Sequence, residues 1–366
     1  MFAKARRFGV WLAILVGASS LTGCGSGGGG TAPPAAPAGS HTLEALPYGQ
    51  MGVGKIVFHR GDLLGMGWRD GIYTIEPVSK TSSFEFDGGG GWYPASPQVS
   101  PDGLNIAYTR WTDSTTLFDM YVANLDGSAA RQVSAFPGQE GPPSWTPDGL
   151  QIVFYAAAQA GNNNLYRQPP VMPTASQRVQ ITSFSSTTNA CPTFNVAEES
   201  VSVSPSGSFV WVCYLTNIEV TAPDGSATTA IYTLPPMNPI LTELHASSWS
   251  PDGQRIAFLV LIRASSSMNQ GIGERKQVLL KVIDPQGKNE QLLSTVASSG
   301  IADIGGQGNV YSLCWAADGS RIFFNVPDGT DGNEQAHIWV VNSDGSGLTQ
   351  ITNASGVWDH SVSCSR

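Results

Sequence analysis

The chain has 366 residues, of which 42 are glycine and 24 proline while only 13% are charged, a balance that fits a turn-rich all-β protein better than a helical one. The formal net charge is −9, and because Lys4, Arg6 and Arg7 all fall in the first 24 residues, the remainder sets 28 acidic against 16 basic side chains. That balance excludes a partner held by phosphate neutralisation, so nucleic acid is not expected.

The amino terminus reads as an address. MFAKARR is a basic n-region, and FGVWLAILVGASS is an apolar stretch too short to span a bilayer. It runs into Leu21-Thr22-Gly23-Cys24, which resembles the lipobox of bacterial lipoproteins. The resemblance implies that residues 1–23 are a signal peptide and that Cys24 is lipid-modified (palmitate among the acyl groups) and becomes the first mature residue. Two or more acyl chains, at about 0.8 kcal/mol per buried methylene, hold such a chain to the membrane permanently. Gly25, rather than Asp, after the cysteine implies the outer membrane, facing the periplasm. Residues 24–52 then read as the lipidated Cys and a flexible Gly/Pro/Ala tether, with a typical span of about 30 Å and a ceiling near 100 Å.

From residue 53 onward one pattern repeats. VSPDGLNIAY begins at Val99, WTPDGLQIVF at Trp145, VSPSGSFVWV at Val203, WSPDGQRIAF at Trp249 and WAADGSRIFF at Trp315. A strand enters, a Pro-Asp-Gly turn follows, and a second strand leaves. Proline presets φ, aspartate bonds to nearby backbone, and glycine supplies the positive φ that closes the hairpin. On the exit strand Ile256 and Phe258 point to one face and Ala257 to the other. A second signature lies downstream: MYVANLDGS from Met120, IEVTAPDGS from Ile218, LLKVIDPQG from Leu279 and IWVVNSDGS from Ile338, each leading to a further short strand. Four strands per repeat is the composition of a propeller blade. The turn residues Asp102, Asp148, Ser206, Asp252 and Asp318 stand 46, 58, 46 and 66 residues apart, blade-sized periods with two insertions. A sixth hairpin is split. VWDHSVSCSR at the carboxyl end has an entering strand without an exit, and GKIVFHR, 54–60, is an exit strand without an entering one. The expected fold is therefore an all-β, six-bladed β-propeller of four-stranded blades over 53–366, closed by pairing of the C-terminal strand with the first blade.

These repeats resemble those of the TolB-type propeller family, Pro-Asp-Gly relatives of the WD40-like repeat that also occur in the prolyl oligopeptidase propeller. TolB itself adds an amino-terminal α/β domain and is not lipid-anchored, so its role does not transfer directly. A hydrolase would need a Gly-x-Ser-x-Gly elbow, which is absent from the chain, so no enzyme is expected.

The candidate site residues are few. FEFDGGGGWYP, 84–94, sets Phe84, Phe86, Trp92 and Tyr93 around four glycines; Trp92 and Tyr93 suit partner capture, unless the aromatics belong to the blade. Glu140, His245, Asp359 and His360 are the polar candidates on a working face built from 87–96, 135–143, 238–247, 301–311 and 353–360. No metal is expected. The acidic loop 328–334, with Asp328, Asp331, Asn333 and Glu334, offers a calcium alternative, although its spacing does not match the known calcium loop. Cys191, Cys213, Cys314 and Cys364 suggest disulfides in an exported protein, with Cys191–Cys213 and Cys314–Cys364 favoured. Cys314 is placed one residue before the shared Trp/Val position and Cys364 two after it.

Together these features predict a monomeric, lipid-anchored envelope propeller. It would bind envelope proteins as a non-catalytic scaffold and carry no cofactor beyond the lipid. The alternative is a small-ligand or metal-binding propeller, such as a lyase, using the central channel.

Overall fold

Each Pro-Asp-Gly segment connects two antiparallel strands, and the reason lies in a repeated local network. In the computed structural model the Ser100 hydroxyl donates to the Asp102 carboxylate at 2.5 Å. That carboxylate also accepts the Leu104 N–H at 3.0 Å, and the Ser100 oxygen accepts the Asn105 N–H at 2.9 Å. The same three bonds recur at Thr146–Asp148 and at Ser250–Asp252. The hydroxyl before the proline is therefore as much a part of the turn as the aspartate. The structure describes residues 41–42, 54–62, 70–76, 81–87, 92–112, 119–134, 140–157, 163–174, 177–183, 201–213, 215–235, 241–264, 275–298, 311–330 and 333–365. The expected signal peptide, Cys24, Cys191, Asp331 and most of the tether lie outside them. Two residues of the expected tether, His41–Thr42, pair instead with Ser82 and Thr81.

Among the described residues the strands group into six blades of four strands, with His41–Thr42 added at the outer edge of the first. Blade 1 combines the C-terminal strand Val357–Cys364 with Ile56–Asp62, Gly71–Glu76 and Thr81–Phe86. Blades 2 to 5 begin at Trp92–Val99, Ser144–Trp145, Ser202–Val203 and Leu241–Trp249, and each is a separate four-stranded sheet. Blade 6, from Leu313–Trp315 to Thr349–Gln350, touches blade 1 through one parallel bridge, Ala336 to Trp358. The six first strands contact one another in a closed circle.

The core is divided between the blades. Six hydrophobic clusters are present, one in each gap, including the gap between blades 6 and 1. Strand alternation distributes them: Ile256 and Phe258 pack toward blade 4, Ala257 and Leu259 toward blade 6. Fully burying a side chain of this size contributes roughly 1.5–3 kcal/mol. Because every blade buries both faces, none is stable without two neighbours, and the ring must close.

Closure falls to the C-terminal strand. Ile56 pairs with Cys364 and Arg60 with Asp359. Its backbone and hydroxyls also reach sideways: the Val362 N–H donates to Ser312 of blade 6 at 2.7 Å, and Ser363 accepts the Val99 N–H of blade 2 at 3.2 Å. A disulfide joins Cys314 to Cys364, with Cα atoms 5.7 Å apart. The register corrects the expected offset: Cys364 occupies the shared Trp/Val position itself, opposite Ile56 as Trp249 is opposite Ile256. The error is two residues, so the side-chain parity is unchanged and the two sulfurs still meet across the gap. Cys213 is also disulfide-bonded.

Candidate functional site

The first strands enclose a central channel, and all six blades line it. Each contributes a serine: Ser361, Ser96, Ser144, Ser202, Ser247 and Ser312 in blade order. No Asp, Glu, Lys, Arg or His is among the lining residues. The cavity measures about 80 Å³, room for several waters or a very small ligand. At the turn end neighbouring blades abut, glycine against proline. A Cβ built on Gly253 would lie 3.3 Å from Pro205 of the preceding blade, and Gly149 and Gly319 face Pro101 and Pro251 at 3.8 Å in the same way.

At the opposite end the first strands of blades 1, 2 and 5 run on past a common irregularity. Ser361, Ser96 and Ala246 each stand three residues before the shared position, with φ of 55°, 50° and 40°. The ladder slips at each, between Val57 and His59, Ala95 and Gln98, and His245 and Ser247. Much of what the sequence suggests as loop (92–96, 241–247 and 357–360) is therefore bulged strand. Trp92 and Tyr93 open the first strand of blade 2, opposite Thr112 and Trp111. Phe84 and Phe86 belong to the outer strand of blade 1, packing edge-on against Tyr73 and Tyr108. Asp328, Asn333 and Glu334 stand on strand rather than loop, since strands run Arg321–Thr330 and Asn333–Asn342 and pair up to Thr330 and Asn333, while Asp331 lies outside the described residues.

The four polar candidates sit in separate neighbourhoods. Glu140 is buried between blades 2 and 3, bridged to Ala156; its carboxylate accepts the Met120 N–H at 2.9 Å and the Ser134 hydroxyl. Burial pushes its pKa up to about 7, against the lowering effect of the Ser134 bond. His245 packs on the Tyr311 ring at 4.4 Å, its Nε2 3.4 Å from Glu243. Asp359 is fully buried and receives both Nε and Nη2 of Arg60, at 2.6 and 2.7 Å. His360 leaves the same strand in the other direction, with its Nε2 2.7 Å from His59 Nδ1 and its Nδ1 2.8 Å from the Ser361 hydroxyl. His59 Nε2 in turn lies 3.0 Å from the Asp70 carboxylate. Burial, then the adjacent His59, holds the His360 imidazole well below its ordinary pKa. Sequence reasoning passed over His59, Arg60, Asp70 and Ser361. A signal was available: pairing GKIVFHR with VWDHSVSC places Arg60 opposite Asp359, a cross-strand pair of opposite charge.

The fold and the channel define the class, a closed six-bladed β-propeller. Within that class the architecture is of TolB type. Superposition on TolB from Acinetobacter baumannii gives a TM-score of 0.59 at 15% identity, covering 85% of this chain and 66% of that one. A chain of the nidogen/laminin complex aligns with a TM-score of 0.54 at 8% identity, over 86% of this chain and 99% of that one. In sequence, 59 residues are 39% identical to the Tol-Pal system protein TolB of Alcanivorax borkumensis, 16% of this chain and 13% of that protein. The match thus spans a small part of that relative, and the chain spans just under two thirds of the solved TolB. No family model matches the sequence.

Proposed function

We propose that this chain is a non-catalytic binding module of the bacterial cell envelope, anchored by lipid on Cys24 to the outer membrane and presenting a monomeric propeller to protein partners in the periplasm. The observation that carries the reading is the likeness of the whole propeller to TolB, joined by the 59-residue match to a Tol-Pal system protein. The lipobox-like Leu21-Thr22-Gly23-Cys24 supports the anchor. The end opposite the turns is the binding face, because there the repeat gives way to residues peculiar to each blade.

The test compares affinity capture from envelope extracts by the native chain, by Cys24→Ser, and by variants at each end. One envelope protein should be retained by the first two forms, lost on His245→Ala combined with Trp92→Ala, and kept on Leu150→Ser at the turn end. Retention that follows the turn end, or none at all, overturns the binding role. An unmodified Cys24 in mass spectra of the native protein overturns the anchor alone.

A further inference from the structure

Asp70, His59, His360 and Ser361 form one unbroken line of hydrogen bonds from a partly exposed carboxylate, 39% accessible, to a hydroxyl on the channel wall. The carboxylate fixes its direction, because an ionised Asp70 only accepts. His59 must therefore carry its proton on Nε2 and present a lone pair at Nδ1. His360 then donates from Nε2 and accepts at Nδ1, so the Ser361 proton points back at His360 and away from the channel. Adding one proton reverses every step. A doubly protonated His59 donates from Nδ1, His360 Nε2 becomes an acceptor, its Nδ1–H donates to Ser361, and the Ser361 hydroxyl is released toward the channel.

We propose that this line makes the channel a proton-linked site for a small oxyanion, of the size and chemistry of a carboxylate, held by the Ser361 hydroxyl. Three observations support a ligand there. Ser247 lines the same cavity, is 2% exposed, and its hydroxyl has no hydrogen-bond partner. Among the described residues the wall carries hydroxyls and no charged side chain, so a proton added two links behind Ser361 offsets the Asp70 charge and leaves a hydroxyl donor facing the channel. Burial holds the His360 imidazole well below its ordinary pKa, while His59 has the Asp70 carboxylate 3.0 Å from its Nε2.

Around the line, the strand of His59 ends on Asp62, and Gly71–Glu76, paired with it, carries Tyr73 and Glu76. Arg60 and Asp359, on the same two strands, neutralise each other. The first strand of blade 2 carries no titratable side chain except Tyr93, and Leu313–Trp315 none besides the disulfide-bonded Cys314. The third strand of blade 6, bridged at Ala336, carries His337 as the next residue, alongside Glu334 further out. The site is independent of which protein docks on the propeller.

Calorimetric titration of the full chain with sodium acetate, in two buffers of different ionisation enthalpy, tests this. Binding should be about tenfold tighter for each pH unit lowered through the titration of the pair, with uptake of about one proton. Ser361→Ala should lose acetate binding, while Ser96→Ala, at the equivalent bulge of blade 2, should stay within about twofold of the native chain. His59→Gln, which keeps hydrogen bonding but takes no proton, should remove the pH dependence. Imidazole ¹⁵N shifts of the unaltered protein give an independent reading: His360 should exchange its Nε2–H form for the Nδ1–H form on acidification. Acetate binding that ignores pH, persists in Ser361→Ala or does not occur overturns the proposal, as does a His360 tautomer that stays constant.

Discussion

The two ends of the propeller obey different rules. At the turn end blades 2, 3 and 5 repeat one solution, a hydroxyl, a carboxylate and a left-handed glycine, and Asp102, Asp148, Asp252 and Asp318 are held below the usual carboxylate range. The leading cause is the side-chain bond from the turn hydroxyl, except at Asp318, where burial opposes it. At the loop end the blades differ beyond the bulge that three of them share, and two of the carboxylates there are buried. Glu140 is raised by desolvation, and Asp359 is neutralised by Arg60. Redundant small contacts hold one end together, and single large ones hold the other.

That contrast orders the expected effects. Replacing Asp359 with Ala strands a buried Arg60 at the closure seam and should cost about 3–5 kcal/mol in denaturant melts. Loss of less than about 1 kcal/mol would show that the seam does not depend on the pair. Next comes a glycine of the second turn set. Gly225 has φ +74°, and a Cβ there would sit 1.9 Å from the Ile181 carbonyl of the preceding blade, so Gly225→Ala should cost about 3 kcal/mol. Gly149, with φ +70° and its nearest neighbour at 3.8 Å, bears only the conformational strain, and Gly149→Ala should cost about 1 kcal/mol. Equal losses at the two positions would refute the interblade role.

Removing the Cys314–Cys364 bond by double serine substitution should lower stability by about 2–4 kcal/mol, since it spans 50 residues and ties blade 6 to the closing strand. The pH responses should also part. Raised in the folded state, Glu140 favours folding while protonated, so its contribution is complete below the usual glutamate pKa of 4.5 and is lost as pH rises through about 7. The lowered turn aspartates act oppositely: their contribution is present above 3.8 and is lost as pH falls below it. Glu140 should therefore pull the melting temperature down between pH 5 and 8, against buried His360, whose lowered pKa adds stability as pH rises toward 6.5, and Glu140→Gln should remove the downward part. The smallest effect belongs to a single turn: Asp148→Ala should cost about 0.5–1 kcal/mol, because the remaining blades are untouched.

Local chemistry explains which features were legible in advance. The turns could be read because a hairpin closes on four to six consecutive residues, and the alternation of Ile256, Ala257 and Phe258 because strand parity is local. Even the split blade could be read, since its two halves are each recognisable. The bulges at Ser96, Ala246 and Ser361 could not. Nothing in a short window distinguishes a strand that continues past a left-handed residue from one that ends in a loop, so the extended first strands were read as loops. The offset of Cys364 was hidden too, because only the ladder shows that Cys364, and not Val362, stands opposite Ile56.

By itself, then, the sequence determined the repeat, the hairpins, the number of blades and the need for a closing strand, because those follow from backbone preferences and the apolar period of each segment. Only the tertiary structure decided that Gly225 abuts Ile181, that Arg60 meets Asp359, and that four residues from opposite ends of the chain line up from Asp70 to Ser361. Apart from adjacent His360 and Ser361, those contacts join residues 11 to 301 positions apart, and their partners are chosen by how the blades pack and where the strands bulge, which no stretch of the chain encodes alone.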